Sequence, residues 1–213
     1  MASREAIDSK LLELFEAERT VRRLHDELTD MPEDELIDRL AAASQAAAKE
    51  SRPEEAALRL SRIASLLGEF EGPRVVDALV DVLGSEHPEA RLAAGEELEE
   101  LSFERFKEVA QGVERALKRL PVGSPALPEL PYILAQVPEP GVVKLIAQFL
   151  KHEDADAVAA AIESLVEVGD PSAARLLQPL AEDKRTVELA EEETERTKEV
   201  TLLNSSSRTC GAT

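Results

Sequence analysis

Six carboxylates recur at the same spacing in two separate stretches of the sequence. Within each stretch they lie at positions i, i+7 and i+11, which at about 100° per residue places them near one line of an α-helix. Closely set carboxylates can perform general acid–base chemistry when they are desolvated in a cleft, or bind cationic groups when they are exposed. The six are Glu89, Glu96 and Glu100, followed by Asp156, Glu163 and Glu167.

The surrounding residues favour binding of cationic groups over acid–base catalysis. Ala90, Ala94 and Leu98 lie on the opposite side of the first predicted helix, so its carboxylates face solvent when the helix packs. We therefore predict that the six carboxylates bind a basic segment of a partner protein, and we predict no catalytic residue among them. The alternative interpretation is that they form the ordinary charged line of a surface helix.

Other residue types with chemical potential are sparse. The three histidines, His25, His87 and His152, do not show the i, i+4 spacing that pairs metal ligands on a helix. Cys210 is the single cysteine, so the chain contains neither an internal disulfide nor a cysteine metal cluster. The sequence has no phosphate-binding glycine loop, zinc motif or nucleophile elbow. We expect no metal and no cofactor.

The charge balance limits the class of partner. The 213 residues include 44 acidic and 25 basic ones, for a formal net charge of -19. Such a surface repels nucleic acids and anionic membranes, and it argues against a DNA-binding helical-repeat enzyme. It also keeps a protein soluble, which is the alternative explanation of the charge. With no recognisable signal peptide or membrane span, we expect a cytoplasmic location.

An internal repeat defines the elements that position the carboxylates. Residues 75–101 align without a gap with residues 142–168, and 10 of the 27 positions are identical. Each copy predicts a short helix, a loop and a second, alanine-rich helix. Because the offset of 67 is about twice the length of one helix pair, a further pair should lie between the copies.

That middle pair contains an unusual proline stretch. Residues 103–120 predict its first helix, and the second must come from the Pro-rich segment 121–140. Pro125, Pro128 and Pro131 also have the spacing of a polyproline docking ligand, which is the alternative. We expect an extended chain to about Glu129 and a shortened helix from about Pro131, since proline deep in a helix costs about 3 kcal/mol.

The ends of the chain complete the predicted organisation. Residues 1–30 predict one long helix that caps the array or pairs with a second copy as a coiled coil, and helices at 32–49 and 53–68 follow. Residues 184–203 predict a polar helix and residues 204–213 a disordered tail.

Two segments resemble the HEAT-like repeats of the bilin-lyase type. Residues 153–183 and 87–101 both show an acidic turn followed by an alanine-rich helix, and Arg91 stands at the usual arginine of that family. Val158 stands at the corresponding position of the other copy and departs from the pattern. The resemblance covers residues 53–183 and implies an α-solenoid. Together with the internal repeat, it leads us to predict an all-α, right-handed α-solenoid of about eleven helices, with its array at residues 31–183, in a bacterial-type protein.

The combined expectation is a non-catalytic scaffold or adaptor. Its partner is another protein with a basic segment, and homodimerisation through the first helix stays open. The alternative, suggested only by the resemblance, is a bilin-lyase-like enzyme or a cofactor-handling repeat protein.

Overall fold

The helices follow one another along the chain with short connections. The computed structural model describes residues 4–182, 186–190 and 197–201. Nine α-helices lie in these residues, and a 3-10 helix, Gln178–Glu182, continues the last one. They are α1 (Arg4–Thr29), α2 (Glu33–Ala47), α3 (Pro53–Leu67), α4 (Pro73–Leu83), α5 (Pro88–Arg119), α6 (Ala126–Ala135), α7 (Val142–Phe149), α8 (Ala155–Val168) and α9 (Ala173–Leu177).

Proline and glycine set several of these boundaries. Pro53, Pro73 and Pro88 each stand at the first position of a helix, where the missing N–H would have no intrahelical acceptor. Gly169 ends α8 with a φ of 67°, a left-handed conformation that glycine adopts without strain. The predicted helices at 32–49 and 53–68 are confirmed as α2 and α3, each within two residues at either end.

The longest helix is bent into two parts. Arg105 has non-helical angles, φ -139° and ψ 43°, and separates residues 88–104 from residues 106–119 of α5. The sequence predicts two helices here, and the bend is where they join. The first part completes the pair that α4 begins, and the second part begins the next pair.

The pairs stack into two layers. The first layer contains α2, α4, residues 106–119 and α7, and the second layer contains α3, residues 88–104, α6 and α8. The core between the layers is built from aliphatic side chains with at most 1% exposure, including Leu60, Leu79, Leu98, Leu134 and Leu165. The predicted all-α solenoid of HEAT-like pairs is confirmed.

The proline stretch is helical, and the expectation of an extended segment up to Glu129 is wrong. Helix α6 begins at Ala126, five residues before the predicted start. Pro128 lies in the first turn, where no N–H is needed, so only Pro131 removes an internal hydrogen bond. Leu127 and Leu130 are buried, which also excludes the polyproline docking ligand, because that ligand must be extended and accessible.

Helix α1 covers the array only at its carboxyl-terminal end. Every residue from 4 to 20 is exposed, whereas Val21, His25 and Leu28 are half-buried. Leu28 packs against the core, and His25 Nε2 lies 3.3 Å from Glu69 Oε1 at the end of α3. Residues 4–20, called the arm below, extend beyond these contacts.

The region predicted as a polar helix, 184–203, contains two antiparallel strands. Strand β1 is Thr186–Ala190 and strand β2 is Thr197–Thr201, with Thr186 opposite Thr201. Threonine and valine, which favour strands over helices, recur in both. The predicted tail at 204–213 lies outside the described residues. Among the described helices, none combines the length and the hydropathy that a bilayer crossing requires.

Candidate partner-binding surface

Three neighbouring segments of the second layer share a strongly acidic exposed side. Residues 88–104, α6 and α8 together contain ten acidic residues and one basic residue, Arg91. We call the exposed side of these three segments the acidic surface. The ten are Glu89, Glu96, Glu97, Glu99, Glu100, Glu104, Glu129, Asp156, Glu163 and Glu167.

The six carboxylates singled out in the sequence all lie on this layer. Five of them are exposed, and Glu163 is half-buried. The two groups are not adjacent, because α6 lies between residues 88–104 and α8. The five exposed carboxylates are Glu89, Glu96, Glu100, Asp156 and Glu167.

Between the two groups of carboxylates, α6 and the residue after it place neutral side chains on the acidic surface. The Tyr132 hydroxyl donates a 2.5 Å hydrogen bond to Glu163 Oε2, and Gln136 Nε2 donates one of 3.4 Å to Glu167 Oε1. Burial, followed by the nearby Glu163 carboxylate, raises the pKa of Tyr132 well above its ordinary value, so the phenol stays a neutral donor.

Sequence reasoning missed Tyr132 of α6 and Gln136, the residue directly after α6, although a signal for them existed. The offset of 31 that aligns buried Leu134 with buried Leu165 also aligns Tyr132 with Glu163 and pairs Gln136 with Glu167. The predicted line of carboxylates rests on the two copies at an offset of 67, and this offset passes over the middle helix, α6.

A groove lies between residues 88–104 and α6. Its volume is about 290 Å³. Leu92 and Ile133 supply an apolar floor, and three carboxylates stand around it. Such a groove suits a lysine or arginine, whose methylene stem packs on apolar groups while its head meets carboxylates. Its lining includes Leu83, Pro88, Arg91, Leu92, Gly95, Glu96, Glu99, Glu129 and Ile133.

Glu97 lies at the edge of the acidic surface in an unusual environment. Its carboxylate occupies the space beside Gly68 where any larger residue would place a Cβ. Burial, with the neighbouring carboxylates of Glu100, Glu69 and Glu96, raises the pKa of Glu97 to about 7, and the nearby His25 opposes that rise. Burial and the neighbouring negative charges together therefore keep a proton on Glu97 near neutral pH.

The first layer has a different charge pattern. Residues of α4, 106–119 and α7 include six basic and four acidic side chains, and several of them pair across neighbouring helices. Arg115 Nε lies 3.0 Å from Asp77 Oδ1, and Arg119 pairs with Asp81. The basic six are Arg74, Lys107, Arg115, Lys118, Arg119 and Lys144, and the acidic four are Asp77, Asp81, Glu108 and Glu114.

A second cavity, of about 840 Å³, lies where the described array ends. Its mainly apolar lining comes from the α6–α7 connection and the start of α9, with Lys144 and Arg175 at its edge. It lies apart from the acidic surface. In the described parts of the chain, no group of three or more histidine, cysteine, aspartate or glutamate side chains is placed to hold a metal ion.

Comparison with known families identifies the repeats. The family model of HEAT repeats matches residues 132–193. This part of the chain, 62 of the 213 residues, is similar to HEAT repeats. The matched residues contain the last four residues of α6 together with α7, α8 and α9, and they include three of the ten carboxylates of the acidic surface, Asp156, Glu163 and Glu167. The HEAT match is general and does not specify the bilin-lyase type.

The helix pairs ahead of the matched region continue the stacking of the HEAT array. Comparisons with curated proteins and with solved structures find no match. HEAT repeats typically serve as protein-interaction scaffolds. The exposed sides of the two layers are therefore the surfaces to consider for partner binding.

Proposed function

We propose that the chain is a non-catalytic scaffold whose acidic surface binds a basic segment of a partner protein. The observation that carries the proposal is the difference between the two layers of the HEAT array. In the three pairs from α4 to α8, the second-layer segments hold ten acidic residues and one basic residue, whereas the first-layer segments hold six basic and four acidic ones. With α2 and α3 included, the second layer holds twelve acidic and three basic residues, and the first layer holds eight acidic and seven basic ones. Basic partners are therefore directed to one side of the molecule.

The composition of the acidic surface refines the chemistry of the partner. Leu92 is 64% exposed, and Val166 and Tyr132 are also exposed between the carboxylates. A segment that combines lysine or arginine with apolar side chains would bury these groups and pair with the carboxylates around them. The carboxylates are mostly exposed, so the charge contribution should weaken as salt is added.

The exposure of these carboxylates also supports the non-catalytic part of the proposal. General acid–base chemistry requires a site that excludes water, whereas Glu96, Glu100 and Glu167 are open to solvent. Chromophore transfer by the purified chain to an acceptor protein would contradict the non-catalytic part of the proposal.

Affinity capture with three forms of the chain tests the binding part. The wild type is compared with a variant that reverses three exposed charges of the acidic surface, Glu96→Lys, Glu100→Lys and Glu167→Lys. A matched control reverses three exposed acids elsewhere, Glu33→Lys, Glu54→Lys and Glu86→Lys. All three proteins should show the same helical circular dichroism before use.

The expected result is a partner that the wild type and the control retain at about 0.1 M salt and that the acidic-surface variant loses. Its captured region should contain a lysine- or arginine-rich segment. If the three forms retain the same proteins in the same amounts, the acidic surface is not the binding site.

A further inference from the structure

The arm exposes an apolar side that the other described residues do not cover. Ile7, Leu14 and Phe15 are each more than 50% exposed, and Leu11 is 43% exposed. Isolated helices of this length are marginal in water, and contiguous exposed apolar groups usually mark a contact. The arm therefore lacks the packing that ordinarily stabilises a helix.

The position of the arm determines what can reach it. Val21 is the first half-buried residue of α1, and the contacts of His25 with Glu69 and of Leu28 with the core lie beyond it, so the described array lies at one end of the exposed stretch. Seventeen residues of α-helix span about 25 Å. A partner helix of similar length can lie along the arm without meeting the array.

We propose that the arm pairs in antiparallel orientation with the arm of a second copy of this chain. Ile7, Leu11, Leu14 and Glu18 follow one another at steps of four, three and four, and form the seam. In the antiparallel pair, Leu11 of one copy lies against Leu14 of the other. Ile7 then lies against the methylene stem of Glu18.

The charges beside this seam favour the antiparallel orientation. Arg4 comes near Glu18 of the second copy, and this pair forms twice by symmetry. A parallel pair would instead place Glu18 of one copy against Glu18 of the other within the seam. Charges beside a helical seam of this kind select the orientation of the partner.

The net charge of the whole chain also favours the antiparallel orientation. Each copy has a formal net charge of -19. A parallel pair would place both arrays at the same end, whereas the antiparallel pair separates them by the length of the arm and reduces their repulsion. The resulting dimer would present two acidic surfaces, so a partner with two basic segments would gain from effective concentration.

The oligomeric state of the full-length protein tests the pairing. Light scattering coupled to size exclusion, at tens of micromolar protein, should give twice the chain mass of 23.2 kDa. The double variant Leu11→Asp/Leu14→Asp should return the mass of one chain. The milder Leu11→Ala/Leu14→Ala, which preserves helix propensity, should weaken dimerisation at least tenfold.

Leu12→Asp is the matched control for these variants. Leu12 is 66% exposed but lies about 100° or more from Leu11 and Leu14 around the helix, so this variant should remain a dimer. A wild type that stays monomeric, or a double aspartate variant that stays dimeric, would overturn the proposal.

Disulfide trapping tests the orientation. In a background in which Cys210 is replaced by serine, the Ile7→Cys protein and the Glu18→Cys protein are oxidised separately and as a mixture. The antiparallel pair predicts a disulfide only in the mixture, since identical positions lie about 16 Å apart along the arm. Efficient linking of either protein to itself would instead show a parallel pair and refute the orientation. Neither measurement uses the basic partner, so the dimer and the acidic surface can fail independently.

Discussion

At the scale of single residues, Glu97 shows how the array creates a charge environment that composition alone does not reveal. Its carboxylate lies beside Gly68 and close to three other glutamates, Glu69, Glu96 and Glu100. Burial and these neighbours raise its pKa to about 7, from an ordinary value of 4.5. The folded protein thus retains a proton at a pH where the unfolded chain has lost it.

This shift predicts a pH dependence of stability. Between about pH 4.5 and pH 7 the folded state binds more protons than the unfolded state, so the free energy of unfolding should fall as the pH rises. The loss should be on the order of 1 kcal/mol, because solvent screens a half-exposed carboxyl. Glu97→Gln should remove this loss and be more stable than the wild type at pH 8 in urea unfolding experiments.

The control for this prediction is Glu104→Gln, which changes an exposed carboxyl on the same helix. It should keep the pH dependence of the wild type. If Glu97→Gln shows the same pH dependence as the wild type, the account of this carboxyl is wrong.

The residue pattern of the candidate surface was only partly predictable. Helical spacing correctly indicated that Glu96 and Glu100 are exposed, because it needs only the position of the buried Leu98. The hydrogen bond from Tyr132 to Glu163 depends on how α6 packs beside α8, and a charged line read within one helix contains no such information.

At the scale of elements, the close approach of α4 to α5 depends on Gly112. A Cβ at this position would overlap the Val76 side chain, which is itself buried. Gly112→Ala should therefore lower the free energy of unfolding by about 1–3 kcal/mol. Thermal and urea unfolding measure the change.

Gly95 in the same helix provides the matched control. The nearest atoms to a Cβ at Gly95 belong to Ile133 and Leu83, and both are 3.9 Å away. Gly95→Ala should stabilise the protein by about 0.5–1 kcal/mol, since alanine favours the helix. Equal effects of the two substitutions would show that the approach of α4 is not limited by Gly112.

Asp154 connects two elements at the start of α8. One carboxylate oxygen accepts a hydrogen bond from the Ala157 backbone at 3.0 Å, and the other accepts one from the Gly123 backbone at 2.6 Å. Asp154→Ala should lower the free energy of unfolding by about 1–3 kcal/mol, because it removes the cap of α8 and leaves the buried Ala157 N–H without its acceptor. Asp156→Ala, an exposed neighbour, should change stability by less than about 0.5 kcal/mol. A difference of zero between the two variants would contradict the role given to Asp154.

The boundaries of helices were predictable from the sequence where a single residue type defines the end of a helix. Proline at the first helical position located α3 to the residue. The same residue type misled at α6, because Pro128 falls in the first turn and does not interrupt the helix. The strands β1 and β2 were missed because a segment without an apolar face was assigned to a helix, although its threonines and valines favour strands.

At the scale of the whole molecule, the stacking of helix pairs converts a general acidity into a two-sided charge distribution. The sequence predicted the solenoid from its internal repeat, and it predicted the net charge of -19 directly. A solenoid also predicts that the second helices of its pairs share one face. The sequence did not predict what separates the two acidic groups on that face, since this depends on the bend at Arg105 and on the helix at residues 126–135. With α6 in place, the acids of residues 88–104 and α8 belong to one surface.

The affinity of a captured partner for three forms of the chain tests this account most directly. Titration calorimetry at about 0.1 M salt should show binding at least tenfold weaker for Glu96→Lys/Glu100→Lys/Glu167→Lys than for the wild type, because three favourable charges become repulsive. The control Glu33→Lys/Glu54→Lys/Glu86→Lys, which changes the net charge equally, should stay within about twofold of the wild type. Equal affinities for all three forms, or equal losses in both variants, would contradict the claim that the acidic surface is the binding site.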